Sequence, residues 1–167
     1  MSRQFDLIKQ SQDIGSGFID IDGSGRVTMP YQPAFNARGT SSASYGVGWA
    51  QLSYTNAVNQ RGSSYNSANS RFTAPVAGWY QFNASANFLA NSDIDGAIGF
   101  IRNGNNAGDI WATTMQSQTG GNYSGRTVSG AIQLNANDYI EVWVYVTVTV
   151  TSRAAYWEGN FSGYLIG

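Results

Sequence analysis

Phe72-Thr73-Ala74-Pro75-Val76-Ala77-Gly78-Trp79-Tyr80-Gln81-Phe82 joins a proline and glycine corner to a stretch whose alternate positions are aromatic. From Trp79 onward, Tyr80, Phe82, Ala84, Ala86 and Phe88 share one parity, while Gln81, Asn83, Ser85 and Asn87 share the other. A period of two over this length predicts a half-buried β-strand. Pro75 has no amide to give to a ladder and so precedes the strand. Gly78 is expected to supply backbone angles that a corner demands.

The rest of the chain repeats this grammar. Pro33–Arg38 and Trp49–Thr55 read as strands, with a Ser/Gly-rich loop before Gly48 and a polar loop over Asn59–Ser70. Ala97–Arg102 runs into Asn103-Gly104, a two-residue hairpin signal, and returns over Asp109–Met115. A Gly-rich loop leads through Arg126 to a strand over Thr127–Leu134, and Asn135–Asp138 turn the chain again. Tyr139–Thr151 alternates throughout, with Ile140, Val142, Val144, Val146, Val148 and Val150 on one side. Tyr139, Glu141, Trp143, Tyr145, Thr147 and Thr149 occupy the other side, a face too aromatic for ordinary solvent exposure. Such a run would span roughly 40 Å, so a bend or bulge is expected within it. Asn160–Ile166 closes the chain as a strand. About ten short strands with no helical periodicity beyond Gln12 predict an all-β, two-sheet antiparallel jelly-roll sandwich.

At 167 residues the chain is long enough for one domain with a substantial core. It has no cysteine and no histidine. Disulfides, Cys- or His-built zinc sites and triads that need histidine are therefore excluded within the chain. Charged residues make up only 11% and the net charge is −1, so no basic footprint for nucleic acid exists. No run reaches membrane-spanning length, and the N-terminus lacks an apolar core of signal-peptide length. The expected setting is synthesis in a cytoplasm without membrane insertion. Seven of the nineteen charges fall in the first 26 residues. Phe18–Ile21 and Arg26–Met29 flank Asp22-Gly23-Ser24-Gly25 as a hairpin, and a boundary falls at Pro30–Pro33. Residues 1–32 are thus read as an N-terminal arm and 33–167 as the domain.

Candidate chemistry is sparse. Asp20, Asp22 and Ser24 imitate the start of an EF-hand loop, but Tyr31 stands where the bidentate Glu belongs and the flanks are strand-like. Asp93 and Asp95 are the minimum pair for glycoside hydrolysis and could equally ligate a metal through oxygen, yet Asn91, Ser92 and Gly96 place them in a solvated loop. No catalytic residue, metal or cofactor is expected. The patterns at Asn83, Asn122 and Asn160 match a glycosylation acceptor by chance. The tryptophans (Trp49, Trp79, Trp111, Trp143 and Trp157) belong to core or subunit contact rather than to sugar platforms.

Phe72, Pro75, Gly78, Tyr80 and Phe82 resemble the signature of the globular head of complement C1q, within the C1q/tumour-necrosis-factor superfamily. Pro33-Ala34-Phe35, Asn56, Tyr65-Asn66, Arg102-Asn103-Gly104, Ser129-Gly130, Leu134, Asp138 and Phe161-Ser162-Gly163-Tyr164-Leu165 follow its pattern in order. Ser70 and Asn137 stand where that pattern has glycine, and asparagine tolerates left-handed angles. Gly25–Phe35 looks like the lead-in to similar domains on bacteriophage, particularly cyanophage, surface proteins.

The resemblance implies a ten-stranded jelly roll in a tight homotrimer, its first and last strands adjacent and its arm leaving the base. Tyr80, Phe82, Tyr139, Trp143, Tyr145, Phe161 and Tyr164 are then candidates for the core or the trimer interface. With neither heptads nor repeats to build a shaft, the expected role is a non-enzymatic virion-surface knob, a capsid decoration or cement protein. Residues 1–32 would attach it to a major capsid or tail protein. The alternative is a tail-fibre tip that reads a host receptor or surface glycan through Gly39–Gly48 and Gln116–Ser124, with Tyr45 and Tyr123 as contacts.

Overall fold

The computed structural model describes residues 20–21, 23–29, 31–39, 43–89, 93–105, 107–118, 123–152 and 159–167. Their strands are, in order, β1 (Asp20–Ile21), β2 (Val27–Thr28), β3 (Ala34–Arg38), β4 (Ser44–Tyr45), β5 (Gly48–Gln51), β6 (Asn56–Arg61), β7 (Tyr65–Asn66) and β8 (Arg71–Thr73). There follow β9 (Gly78–Leu89), β10 (Ile94–Arg102), β11 (Ile110–Gln118), β12 (Tyr123–Leu134), β13 (Tyr139–Val146), β14 (Val150–Ser152) and β15 (Asn160–Leu165).

One sheet runs β11-β10-β13-β8-β7 with β5 also on β13, and the other runs β4-β14-β9-β15-β3-β6 with β12 also on β9. Every pairing is antiparallel, and the first and last strands of the domain, β3 and β15, are neighbours. The result is a two-sheet jelly-roll sandwich. β1 and β2 pair antiparallel as a separate two-stranded sheet within residues 1–32, most of which lie outside the described residues.

Aromatic rings from both sheets meet in the core. Phe35 stacks on Tyr65 at 4.7 Å and on Phe72 at 5.1 Å, and Phe161 meets it edge-on at 4.8 Å. Phe82 touches Phe72, Phe100 and Phe161 at 5.4–6.1 Å between ring centroids. Tyr80 is wholly buried and its hydroxyl donates to the Val76 carbonyl at 2.8 Å, so the corner is tied to the strand it launches. The Ala74 amide donates to the Asp138 carbonyl and the Asn137 amide to the Ala74 carbonyl, both at 2.8 Å. These bonds clip the corner onto the turn before β13.

The backbone refines three sequence expectations. Gly78 does not have positive φ; a Cβ there would lie 2.8 Å from Leu165 Cδ1 and 3.1 Å from the Gly167 carbonyl oxygen, so space selects glycine. Ser70 and Asn137, which replace glycines, do have positive φ, at 52° and 72°. The Asn103-Gly104 pair takes positive φ at both residues, yet β11 starts only at Ile110, which leaves a longer connection than a two-residue hairpin.

The long run expected over Tyr139–Thr151 divides. β13 ends at Val146, the chain bends at Thr147–Thr149, and β14 joins the opposite sheet against β9 and β4. Val150 stays buried after the crossing, so the alternation survives while the sheet changes. The polar segment Asn59–Ser70 likewise contains the end of β6 and all of β7.

Candidate functional site

Since β9 buries its even positions, its odd positions face outward and align in rows with the strands beside it. One row reads Asn59, Asn36, Ser162, Asn83 and Ser129 across β6, β3, β15, β9 and β12. On one side of it lies Asn56, Arg38, Asn160, Ser85 and Thr127, and on the other Arg61, Ala34, Tyr164, Gln81 and Ala131. Five strands thus present amides and hydroxyls, with arginines at the margin and no carboxylate in these rows.

The polar groups bond to one another. Gln81 Nε2 donates to Ser129 Oγ at 2.9 Å, and Ser129 Oγ donates to Asn83 Oδ1 at 2.8 Å. Asn160 Nδ2 donates to Asn36 Oδ1 at 2.6 Å, and Ser85 Oγ accepts from the Asn160 amide at 3.1 Å. A depression of about 360 Å³ opens among Asn83, Ser85, Thr127, Ser129 and Asn160. At the end of this face, Trp79 and Tyr164 are 47% and 50% exposed, large aromatics left uncovered beside an uncharged polar field.

The outer face of the β13 sheet is built differently. Arg71 donates from Nε and Nη2 to Glu141 Oε1 at 3.0 and 2.8 Å, and Trp143 Nε1 donates to Glu141 Oε2 at 3.0 Å. The Arg71 guanidinium lies 3.7 Å above the Tyr139 ring, and Trp49 meets Tyr145 at 5.5 Å. Glu141 is 3% exposed with both oxygens engaged, so it holds this aromatic layer together and has no lone carboxylate to offer a substrate.

The candidates therefore separate by layer. Tyr80, Phe82 and Phe161 are core residues; Tyr139, Trp143 and Tyr145 sit half-buried on the outer face of the β13 sheet; Tyr164 lies on the outward face of the β9 sheet. Tyr45 is a correction. The sequence places it on an exposed glycan-contact loop, but β4 pairs with β14, and the residue is 8% exposed with its ring edge-on to Phe88 at 6.3 Å. Drawing that Ser/Gly-rich segment into the sheet turns its tyrosine into the core. Tyr123 begins β12, and its side chain, like Trp157, lies outside the described residues.

Asp95 proves to be a strand residue of β10 rather than a loop residue, while Asp93 precedes the strand, and both are exposed. Among the described residues no cluster of three His, Cys, Asp or Glu side chains could hold a metal.

Two features escaped the sequence reading. The amide and hydroxyl rows were legible only as a strand's outer parity, because their continuation across five strands needs the register. Arg126 reads in the sequence as the approach to a strand, although it shares parity with Val128, Ile132 and Leu134; in the structure it points into the sandwich and is 1% exposed.

This architecture is shared with tumour-necrosis-factor-like and C1q proteins. Eiger TNF from S. frugiperda superposes with a TM-score of 0.62 at 11% identity, over 81% of this chain and 93% of that one. Murine APRIL gives 0.57 at 13%, over 80% and 99%, and the globular domain of zebrafish complement 1qA gives 0.51 at 14%, over 81% and 98%. At these identities the likeness is one of fold. The C1q domain family model matches residues 34–166, and the chain belongs to that family. No curated protein matches it at the sequence level.

Proposed function

We propose that the chain is a non-enzymatic surface knob that assembles as a homotrimer through the outward face of the β9 sheet. The observation that carries this reading is the row of Asn59, Asn36, Ser162, Asn83 and Ser129 beside the uncovered Trp79 and Tyr164. An uncharged field of hydrogen-bonding groups with aromatic anchors can meet its own copies without like-charge repulsion. C1q/TNF-like domains are typically trimeric. Mass measurement in solution tests the assembly: three chains are expected, and a monomer at micromolar concentration would refute it. Asn83→Asp with Ser129→Asp should yield folded monomers.

The particular role we propose is decoration of a virion, with residues 1–32 attaching the knob to a capsid or tail protein. The lead-in Gly25–Phe35 supports it. Deleting residues 1–30 is expected to leave a soluble trimer that no longer binds particles. Attachment that survives the deletion would exclude the arm as anchor.

A second reading, a tip that binds a host receptor or glycan, is favoured by the half-buried aromatic layer of Trp49, Trp143 and Tyr145. Glycan-array binding that disappears in Trp49→Ala and Tyr145→Ala variants would support it over decoration.

A further inference from the structure

Near one end of the sandwich the core contains a cation. Arg126 pairs with Ala86, three pairs in from the Tyr123–Leu89 end of the β12–β9 ladder. It is 1% exposed, and among the described residues none of Nε, Nη1 and Nη2 has a hydrogen-bond partner. Among the described residues the Phe88 ring lies nearest to a compensating contact, its centroid 5.9 Å from the guanidinium carbon. A guanidinium does not escape burial by losing its proton, and an unmatched buried charge is among the costliest features a fold can hold. Burial lowers its proton affinity while Asp95, the residue before Gly96 in β10, opposes that shift electrostatically.

Two of its neighbours, Gly96 and Ala86, carry little or no side chain. A Cβ on Gly96 would fall 2.1 Å from Arg126 Nη1 and 2.5 Å from the Tyr145 carbonyl oxygen. A Cβ on Gly159 would press on the Ser85 carbonyl at 2.5 Å, beside Ala86. Any larger residue at Gly96 would displace the arginine, and the cross-strand partner of the arginine is the small Ala86. A planar fork of N–H donors in such a setting matches one chemistry best, a carboxylate bound through two parallel hydrogen bonds.

We propose that Arg126, seated over Gly96 and beside Phe88, is the receiving half of a carboxylate site between the two sheets. The carboxylate comes either from a small solute or from Asp95 turning inward. A bidentate pair between the sheets would join β12 to β10 at the end where the described strands stop. It would make the stability of that end depend on the ligand.

The full chain can be tested with sodium formate, the smallest carboxylate, replacing sodium chloride at fixed ionic strength. If the site takes a solute, the wild-type melting temperature should rise by roughly 3–5 °C per tenfold excess of formate over its Kd. Arg126→Met should show only the shift common to any salt exchange. If Asp95 is the source, the wild type should not respond, and Asp95→Asn should destabilise the protein and make it responsive to formate. Arg126→Lys, which keeps the charge but not the fork, is the second comparison should Arg126→Met fail to fold, and it should lose most of the response. A wild type and an Asp95→Asn variant that both respond no more than the arginine variants would overturn the proposal.

Discussion

Individual side chains in this fold are constrained by their neighbours in opposite ways. Tyr65 donates its hydroxyl to the Tyr54 carbonyl at 2.6 Å, and burial pushes its ionisation far above the ordinary tyrosine range. Tyr65→Phe keeps the stack on Phe35 and orphans that carbonyl, so it should cost about 1 kcal/mol by denaturant unfolding at neutral pH. Because the folded value is the higher one, Tyr65 contributes stability in full below about pH 10, which is lost as pH rises through the folded value. The phenylalanine variant should therefore show a shallower alkaline limb. Gly163 illustrates the opposite constraint, since a Cβ there would lie 2.5 Å from Phe82 Cδ1 and 2.9 Å from Phe35 Cε1. Gly163→Ala should lower stability by about 1–3 kcal/mol through overpacking. Gly46→Ala, with nothing within 4 Å, should be nearly neutral on the same measurement. The sequence showed Phe35 and Phe82 as inward residues, but which glycine stands against them is a fact of register.

At the scale of elements, the turn before β13 organises one end of the molecule. Asn103 Nδ2 donates to Asp138 Oδ1 at 2.8 Å, and the Asn135 amide donates to Asp138 Oδ2 at 2.8 Å. Those bonds, the Asn103 side chain first, hold the Asp138 carboxyl below the ordinary carboxylate range. With the folded value lowered, its contribution is present above about pH 4 and disappears as pH falls through the folded value. Asp138→Asn should therefore be less stable than wild type at pH 7, and the two unfolding curves should converge in strong acid. Asn103 also takes the Tyr139 amide at 2.9 Å, so the Asn103-Gly104 turn and the Asp138 turn form one clasp. Each turn was legible on its own from asparagine, glycine and aspartate chemistry. Their mutual bonding was not, because residues 35 positions apart meet only when β10 and β13 pair. The break of the Tyr139–Thr151 run has the same cause. Alternation reports which side of a strand is buried, and it stays in phase when the chain crosses from one sheet to the other.

At the scale of the whole molecule, the two outer faces divide the work. The β13 sheet covers itself with Arg71, Glu141 and aromatic rings, whereas the β9 sheet leaves amides, hydroxyls, Trp79 and Tyr164 uncovered. An assembly built on the latter face contains few ion pairs to screen. Its mass in solution should accordingly be unchanged between about 0.05 and 1 M salt, a range over which the Debye length falls from more than 10 Å to about 3 Å. Dissociation at high salt, measured by light scattering, would point to an ionic interface instead. By itself the sequence determined the all-β class, the half-buried parity of each long strand, the turn chemistry and the exclusion of Cys- and His-based sites. These follow from local sterics and from the alternation of side chains along a strand. Only the tertiary structure decided that Tyr45 is buried, that Arg126 is enclosed, and that asparagines and serines from five strands form one surface. Each of those depends on which strands lie side by side and in what register, and that is set by packing between residues far apart in the chain.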